Sequence, residues 1–299
     1  MKKTKCLKTL LLSGLLLFNV GLTWATAMPE SAQEKSATSQ SVQAQVDKAS
    51  AEKVATQTNK IAKEAVAAVE ETMKALEALE KGKTDDALKS LETATGKLEL
   101  ILARDPALAL IPVNVDVVTY DLYADVDTVI AVVKEAQQAL DDGKVQTARH
   151  LMESLSSEVV ISTTNIPLGT YPEAIKAISP LLDKGKIEEA KVALKTALSS
   201  LVVSTEIVPL PLLRSQYLLD KAESLAENKE RDEKQNTSLD ALLKGAEEEL
   251  HLAEVLGYGN GHEFKPLYEQ IKAIKKKAAG GNGGSGWFDE MKKLLSELF

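Results

Sequence analysis

Three stretches of the chain share one pattern: a leucine, a glycine three residues on, a lysine next, and an alanine five residues past the glycine. Leu79-Glu80-Lys81-Gly82-Lys83 leads to Ala87, Leu140-Asp141-Asp142-Gly143-Lys144 to Ala148, and Leu182-Asp183-Lys184-Gly185-Lys186 to Ala190. Glycine is the residue that most readily closes a helix in the left-handed conformation, and an apolar helical periodicity stops before each glycine and resumes after it. Gly82, Gly143 and Gly185 are therefore expected to be corners of helical hairpins. Two exits match as well. Val159-Val160-Ile161-Ser162-Thr163 precedes Ile166-Pro167-Leu168, and Leu201-Val202-Val203-Ser204-Thr205 precedes Val208-Pro209-Leu210. The corners stand 61 and 42 residues apart, which disfavours a uniform solenoid.

The predicted fold is mainly α: an irregular helical-hairpin bundle or short helical array over residues 51–279. One or two very short strands are expected near 113–118 and 159–163, where valine alternates with polar residues or β-branched residues cluster. Pro180 falls inside a helical pattern and should kink it. Residues 28–50 are rich in Ser, Thr and Gln and are expected to be disordered or a frayed helix start. Residues 280–286, Gly-Gly-Asn-Gly-Gly-Ser-Gly, read as a flexible linker. Beyond it, Trp287, Phe288, Met291, Leu294, Leu295, Leu298 and Phe299 share one face of an amphipathic tail helix, residues 287–299. So short a helix is marginal alone in water. It needs a surface, and three compete: its own core, a groove on a partner, or a membrane interface.

Lys2, Lys3, Lys5 and Lys8 precede an apolar run from Leu10 to Leu22 and then Ala25-Thr26-Ala27, the pattern of a secretory signal peptide cleaved after Ala27. This predicts a periplasmic protein. Cys6, the single cysteine, would leave with the leader, removing thiol chemistry. Four of the 36 basic residues leave too, so 32 face 44 acidic ones and the net charge becomes −12. An acidic, dispersed surface of this kind argues against nucleic acid as a partner. It also suggests a pH-linked response: as pH falls towards about 4, protonated carboxylates repel less, favouring association or looser packing.

No reaction is legible. His150, His251 and His262 lie on separate predicted elements, with no spacing suited to a metal that needs three or four converging ligands. Asp85-Asp86, Asp125 with Asp127, and Asp141-Asp142 fall at helix starts and a corner, where short acidic residues serve structure. There is no Gly-x-Ser-x-Gly elbow and no phosphate-binding loop. The expectation is no catalytic residue, no cofactor and no metal. If a small apolar ligand or an uncharacterised enzymatic activity has a place, it is a pocket between hairpins near Tyr120, Tyr123, Tyr171 and Tyr217. The plainer reading makes these tyrosines core edges with a wet hydroxyl.

Ile166-Pro167-Leu168 through Ala174, Leu182-Asp183-Lys184, Glu189-Ala190, Ala193-Leu194 and Val202-Val203 resemble the C-terminal part of the YfdX family, with the resemblance spanning roughly residues 50–215. It implies an exported helical protein of Gram-negative bacteria, associated with acid and other envelope stress, and brings no catalytic residues to carry over. Residues 216–279, the glycine segment and the tail extend beyond it. Together these readings lead to the expectation of a non-enzymatic envelope protein, chaperone-like or a scaffold. Its expected partners are other proteins, copies of itself or a small apolar ligand, with membrane contact through the tail as a further route.

Overall fold

The computed structural model describes residues 36–298; residues 1–35, on which the expected leader and its expected cleavage site fall, and Phe299 lie outside the described residues. The chain enters through a short helix α1 (Ala37–Gln40) and a longer α2 (Gln43–Thr58). Three units of helix, corner, helix and strand follow. The first is α3 (Lys63–Glu80), α4 (Thr84–Arg104) and β1 (Leu110–Tyr120). The second is α5 (Val126–Asp141), α6 (Val145–Met152) and β2 (Glu158–Pro167). In the third, α7 (Tyr171–Lys176) and α8 (Ser179–Asp183) together form the outgoing arm, followed by α9 (Ile187–Ser199) and β3 (Val202–Pro209). The break between α7 and α8 falls where Pro180 cannot donate to the preceding turn, so the proline starts a new helix instead of sitting inside one. Helices α10 (Leu210–Glu227), α11 (Glu233–Val255) and α12 (Gly261–Ala278), a single 3-10 turn, and α13 (Asp289–Ser296) complete the chain.

All three corners close in the same way. Gly82, Gly143 and Gly185 adopt φ of 71°, 74° and 70°. The following lysine N–H reaches back to the carbonyl of Ala78, Ala139 or Leu181 at 2.9, 2.7 and 2.9 Å. Each glycine N–H donates to the leucine three residues before it. This is the Schellman closure, which satisfies carbonyls that a helix end otherwise leaves bare. Past each corner, Ala87, Ala148 and Ala190 are fully buried, letting the two arms approach closely.

The strands form one antiparallel sheet in the order β1-β2-β3, each the exit of one hairpin. They are longer and more numerous than the one or two short segments expected from sequence, because the matched Ser-Thr exits pair with each other in the ladder. Thr163 of β2 faces Ser204 of β3, and Ile161 faces Glu206. An irregularity between Pro112 and Asn114 re-registers β1, as expected of a proline that cannot donate to the ladder.

Two apolar clusters share the central strand. Val159 and Ile161 enter a cluster built with α2 and α10 to α13, whereas Ile166 and Leu168 enter one built from the first and third hairpins. In the second cluster α3 packs on α9 and α4 on α7. The α5–α6 hairpin instead rests on α11.

Residues 36–50 differ from expectation: α1 and the first half of α2 are helical, not disordered. Only Val42 and Val46 of this polar stretch are fully buried. Long-range polar contacts secure the rest, with the Lys221 ammonium donating to the Ser41 carbonyl at 2.6 Å and Arg214 to Gln43 at 3.4 Å.

Several carboxylates respond to acid in a defined direction. Glu64, at the start of α3, accepts from Arg104 at the end of α4 at 2.7 Å, and Asp125 caps α5 through the Thr128 N–H at 2.7 Å. Arg104 and the Thr128 N–H respectively hold these carboxyls below their ordinary values of 4.5 and 3.8, and Lys74 and Lys81 do the same for Glu71 and Glu77. A group depressed in the native state stabilises it fully above the unfolded pKa and loses that contribution as pH falls through the native one. Thermal midpoints should therefore hold steady from neutral pH to about 5 and fall, by a modest amount for pairs this exposed, towards about 3. A midpoint unchanged at pH about 3 would contradict this.

Candidate functional site

One face of the sheet lies on the core and the other lies open. Counting across the ladder, Val118, Val160 and Ile207 form one cross-strand row, Asp116, Ser162 and Thr205 the next, and Asn114, Thr164 and Val203 a third. Tyr120 adjoins the first row. Val118, Tyr120, Val203 and Ile207 are exposed, while Val159, Ile161 and Val208 on the opposite face are buried. Antiparallel sheets commonly present polar side chains on their open face; this one presents an apolar row between a row of Asp116, Ser162 and Thr205 and a row of Tyr120, Glu158 and Pro209. Four rows across three strands cover roughly 400 Å2 at ordinary strand spacings. Among the described residues, the strands flanking β2 have no further strand beside them, although the Pro112 carbonyl of β1 already accepts from the Ala62 N–H at 3.4 Å.

A second feature is a cleft of about 660 Å3 between the start of α5 and α11. Its floor is Arg214, buried, whose Nη2 lies 2.8 Å from Asp121 and whose Nη1 lies 3.9 Å from Glu249. Asp125, Asp127, Glu247 and Glu248 also line it, with Lys244 and His251 as the basic members. Arg214 thereby joins α2, the end of β1 and α11 around α10. Sequence reasoning missed it, although an arginine inside Leu210-Pro211-Leu212-Leu213-Arg214 on a helix buried nearly all round was a visible signal.

The four tyrosines proposed for a pocket do not meet. Tyr171 is buried in the cluster of the first and third hairpins, and Tyr217 packs against the other cluster. Tyr120 and Tyr123 are exposed. Burial pushes the hydroxyls of Tyr171 and Tyr217 up, the latter with help from Glu52 and Asp220. Two unforeseen tyrosines are more engaged: the Tyr258 hydroxyl accepts from the Ser157 N–H at 2.9 Å, and that of Tyr268 donates to Glu254 at 2.7 Å. Burial, reinforced by neighbouring glutamates, raises both well above the ordinary tyrosine range. His150 sits beside Glu153 at 3.2 Å, and His251 meets Tyr268 edge to face. Among the described residues no three His, Cys, Asp or Glu side chains gather around a common point, and no helix is long and apolar enough to cross a membrane.

Of the three surfaces open to the tail, it uses its own core. Phe288, Met291 and Leu295 are buried, and Trp287, Leu294 and Leu298 pack around them. Lys292 pairs with Glu223 and, at 3.5 Å, with Asp220 of α10. The glycine segment before it is a packed turn, a correction to its reading as a flexible linker. A Cβ at Gly283 would stand 2.9 Å from the Asn228 carbonyl oxygen and from Lys229 Cα, and the Gly284 N–H donates to Ala226 at 3.0 Å. The Arg231 guanidinium, buried, gathers the carbonyls of Leu225, Ala226, Asn228 and Asn282, binding the end of α10 to this turn.

Comparison with known proteins gives three findings. The family model described as "YfdX protein" matches residues 68–207. No curated protein matches the chain. Among solved structures, one of Salmonella Typhi YfdX is similar at 19% identity, covering 50% of this chain and 93% of that one, with a TM-score of 0.35. The family match takes in most of α3 and every element from α4 to nearly the end of β3, the three corners included, and stops before α10. The likeness to the YfdX family is therefore carried by residues 68–207, a little under half of the chain, and α10 to α13 lie outside the matched region.

Proposed function

We propose that this is a non-enzymatic envelope protein that binds apolar, extended stretches of other polypeptides under stress, in the manner of a chaperone or scaffold. The observation that carries the reading is the open apolar row Val118–Val160–Ile207 on a sheet with no further strand at either edge among the described residues. Exposed apolar surface gathered into a patch marks an interaction site more often than scattered single residues do. Strand edges supply the backbone hydrogen bonds that let affinity be independent of the client's sequence. The leader pattern and the acidic mature surface fit an exported protein that stays dispersed while its patch is exposed.

The test is a titration of a permanently unfolded probe, reduced and carboxymethylated α-lactalbumin, followed by fluorescence anisotropy. A Val118→Lys and Ile207→Lys double variant should lose at least about tenfold in affinity, since two ammonium groups would have to be desolvated against the client. Its thermal midpoint should stay close to that of the parent, because both side chains are already exposed. Equal affinity for both proteins, or no binding by the parent, would sink the reading.

A further inference from the structure

The charge of this chain is unevenly placed. Seven of its 36 basic residues and four of its 44 acidic ones fall in residues 264–299, which therefore carry +3 while the residues before them carry −11. This stretch is most of α12, the glycine turn and α13, and it lies wholly outside residues 68–207. The lysines are sorted further. Lys275 pairs with Glu247 and Lys292 with Glu223, whereas Lys265, Lys272, Lys276 and Lys277 are exposed with no ion pair among the described residues. Spacings of seven and four put Lys265, Lys272 and Lys276 on one stripe of α12, away from the buried Phe264, Leu267, Ile271 and Ile274. Glu269 is the one acid within that stripe.

At the end of α12 the basic patch meets an aromatic ring. Trp287 is partly buried, with the Lys277 ammonium 6.0 Å from its ring centre. A Cβ at Gly284 would stand 2.7 Å from the indole, so the glycine lets the ring lie against the turn. The docked tail thereby fixes an amphipathic ring beside unpaired cations, the combination that suits a membrane–water interface.

We infer that the docked α12–α13 face binds the headgroups of an anionic lipid bilayer, with Lys265, Lys272, Lys276 and Lys277 towards the lipid phosphates and Trp287 at headgroup level. A small anion needs donors that converge on one point. These ammonium groups start from positions strung along about 16 Å of helix, which fits a plane of phosphates. A DNA duplex also offers rows of phosphates, but an indole held against a glycine turn gains little from them, whereas a headgroup layer takes up both its apolar body and its N–H. The contact is separate from the open sheet face and stands whether or not that face binds clients.

Charge sets its strength. Each lysine close to an anionic surface is worth about fivefold in partition, so four give several hundredfold. The carbonyl end of α12 offsets roughly half of one charge and Glu269 about one more, leaving a preference of roughly fiftyfold for an anionic over a neutral bilayer. The acidic remainder opposes this only at close range, because acids more than about 8 Å from the headgroups are screened at physiological ionic strength. Binding is accordingly reversible and salt-sensitive, with the acidic bulk held away from the lipid.

In the chain from Met28 onward Trp287 is the single tryptophan, so it reports the contact itself. This chain should co-sediment with phosphatidylcholine vesicles holding about 30 mol% phosphatidylglycerol and not with phosphatidylcholine alone. Its tryptophan emission should move to shorter wavelength, and brominated phosphatidylcholine should quench it. Lys272→Glu with Lys276→Glu should reduce the partition by at least about tenfold, and salt at about 0.5 M should do the same. Circular dichroism and the thermal midpoint of that variant should match the parent, since both side chains are exposed. No binding to anionic vesicles, equal binding to both kinds, an unshifted tryptophan, or a double variant that binds as the parent does would each overturn the inference. Tighter binding to a DNA duplex than to the anionic vesicles would overturn it as well.

Discussion

Arg214→Met is expected to lower the unfolding free energy by about 3–5 kcal/mol, the range for removing one partner of a buried ion pair. Methionine matches much of the arginine stem, so little volume is lost and the effect isolates the charge. With the guanidinium gone, Asp121 and Glu249 remain in a partly dehydrated cleft facing each other's like charge. The loss should be local to the junction of α2, the end of β1, α10 and α11 before it becomes global. Adding Asp121→Asn and Glu249→Gln to Arg214→Met should restore a large part of the stability, since a fully neutral set no longer strands a charge. Urea denaturation of the parent, single and triple variants checks this. A single variant within about 1 kcal/mol of the parent would show that the cleft is wet enough to hydrate the acids unaided.

Phe288→Ala should cost about 3–5 kcal/mol in the stability of the tail's docking, as for other fully buried phenylalanines cut to alanine. The side chain anchors α13 between α10 and α12, and α13 has too few residues to persist as a helix once undocked. The expected first sign is rapid proteolysis after Lys292 and Lys293 while the first and third hairpins stay protected. Such a sequence of events is the mark of a subglobal opening. Cleavage at these lysines in the parent, at the same rate as in the variant, would mean that the tail is not held by Phe288.

Most of the architecture could be read in advance from local chemistry. The corners were visible because a Schellman closure needs a glycine at one fixed position, and the leucine and alanine around it repeat with it. The strands were half visible: alternation marked β1 and β-branched residues marked β2. The exit from the third hairpin looked like a connection because strand pairing depends on a neighbour about 40 residues away. Composition misled at two places. A glycine-rich tether and a glycine-rich turn have the same residues; what separates them is Arg231, far upstream in the chain, gathering the Asn282 carbonyl. The polar residues 36–50 looked unable to order themselves; Val42 and Val46 pack into the core, and Arg214 and Lys221 hold the stretch from outside it. The open sheet face was illegible for a related reason. Whether Val118 and Ile207 face water depends on which side of the sheet the helices cover, and that is settled by the whole chain.

The most direct test of the proposed function is amide hydrogen exchange of the protein alone and saturated with the carboxymethylated client. Binding at the open face should slow exchange along β1 and β3, around Val118 and Ile207, and leave α3 and α4 unchanged. Protection confined to α13 or to the Arg214 cleft, with β1 and β3 unaffected, would contradict the account.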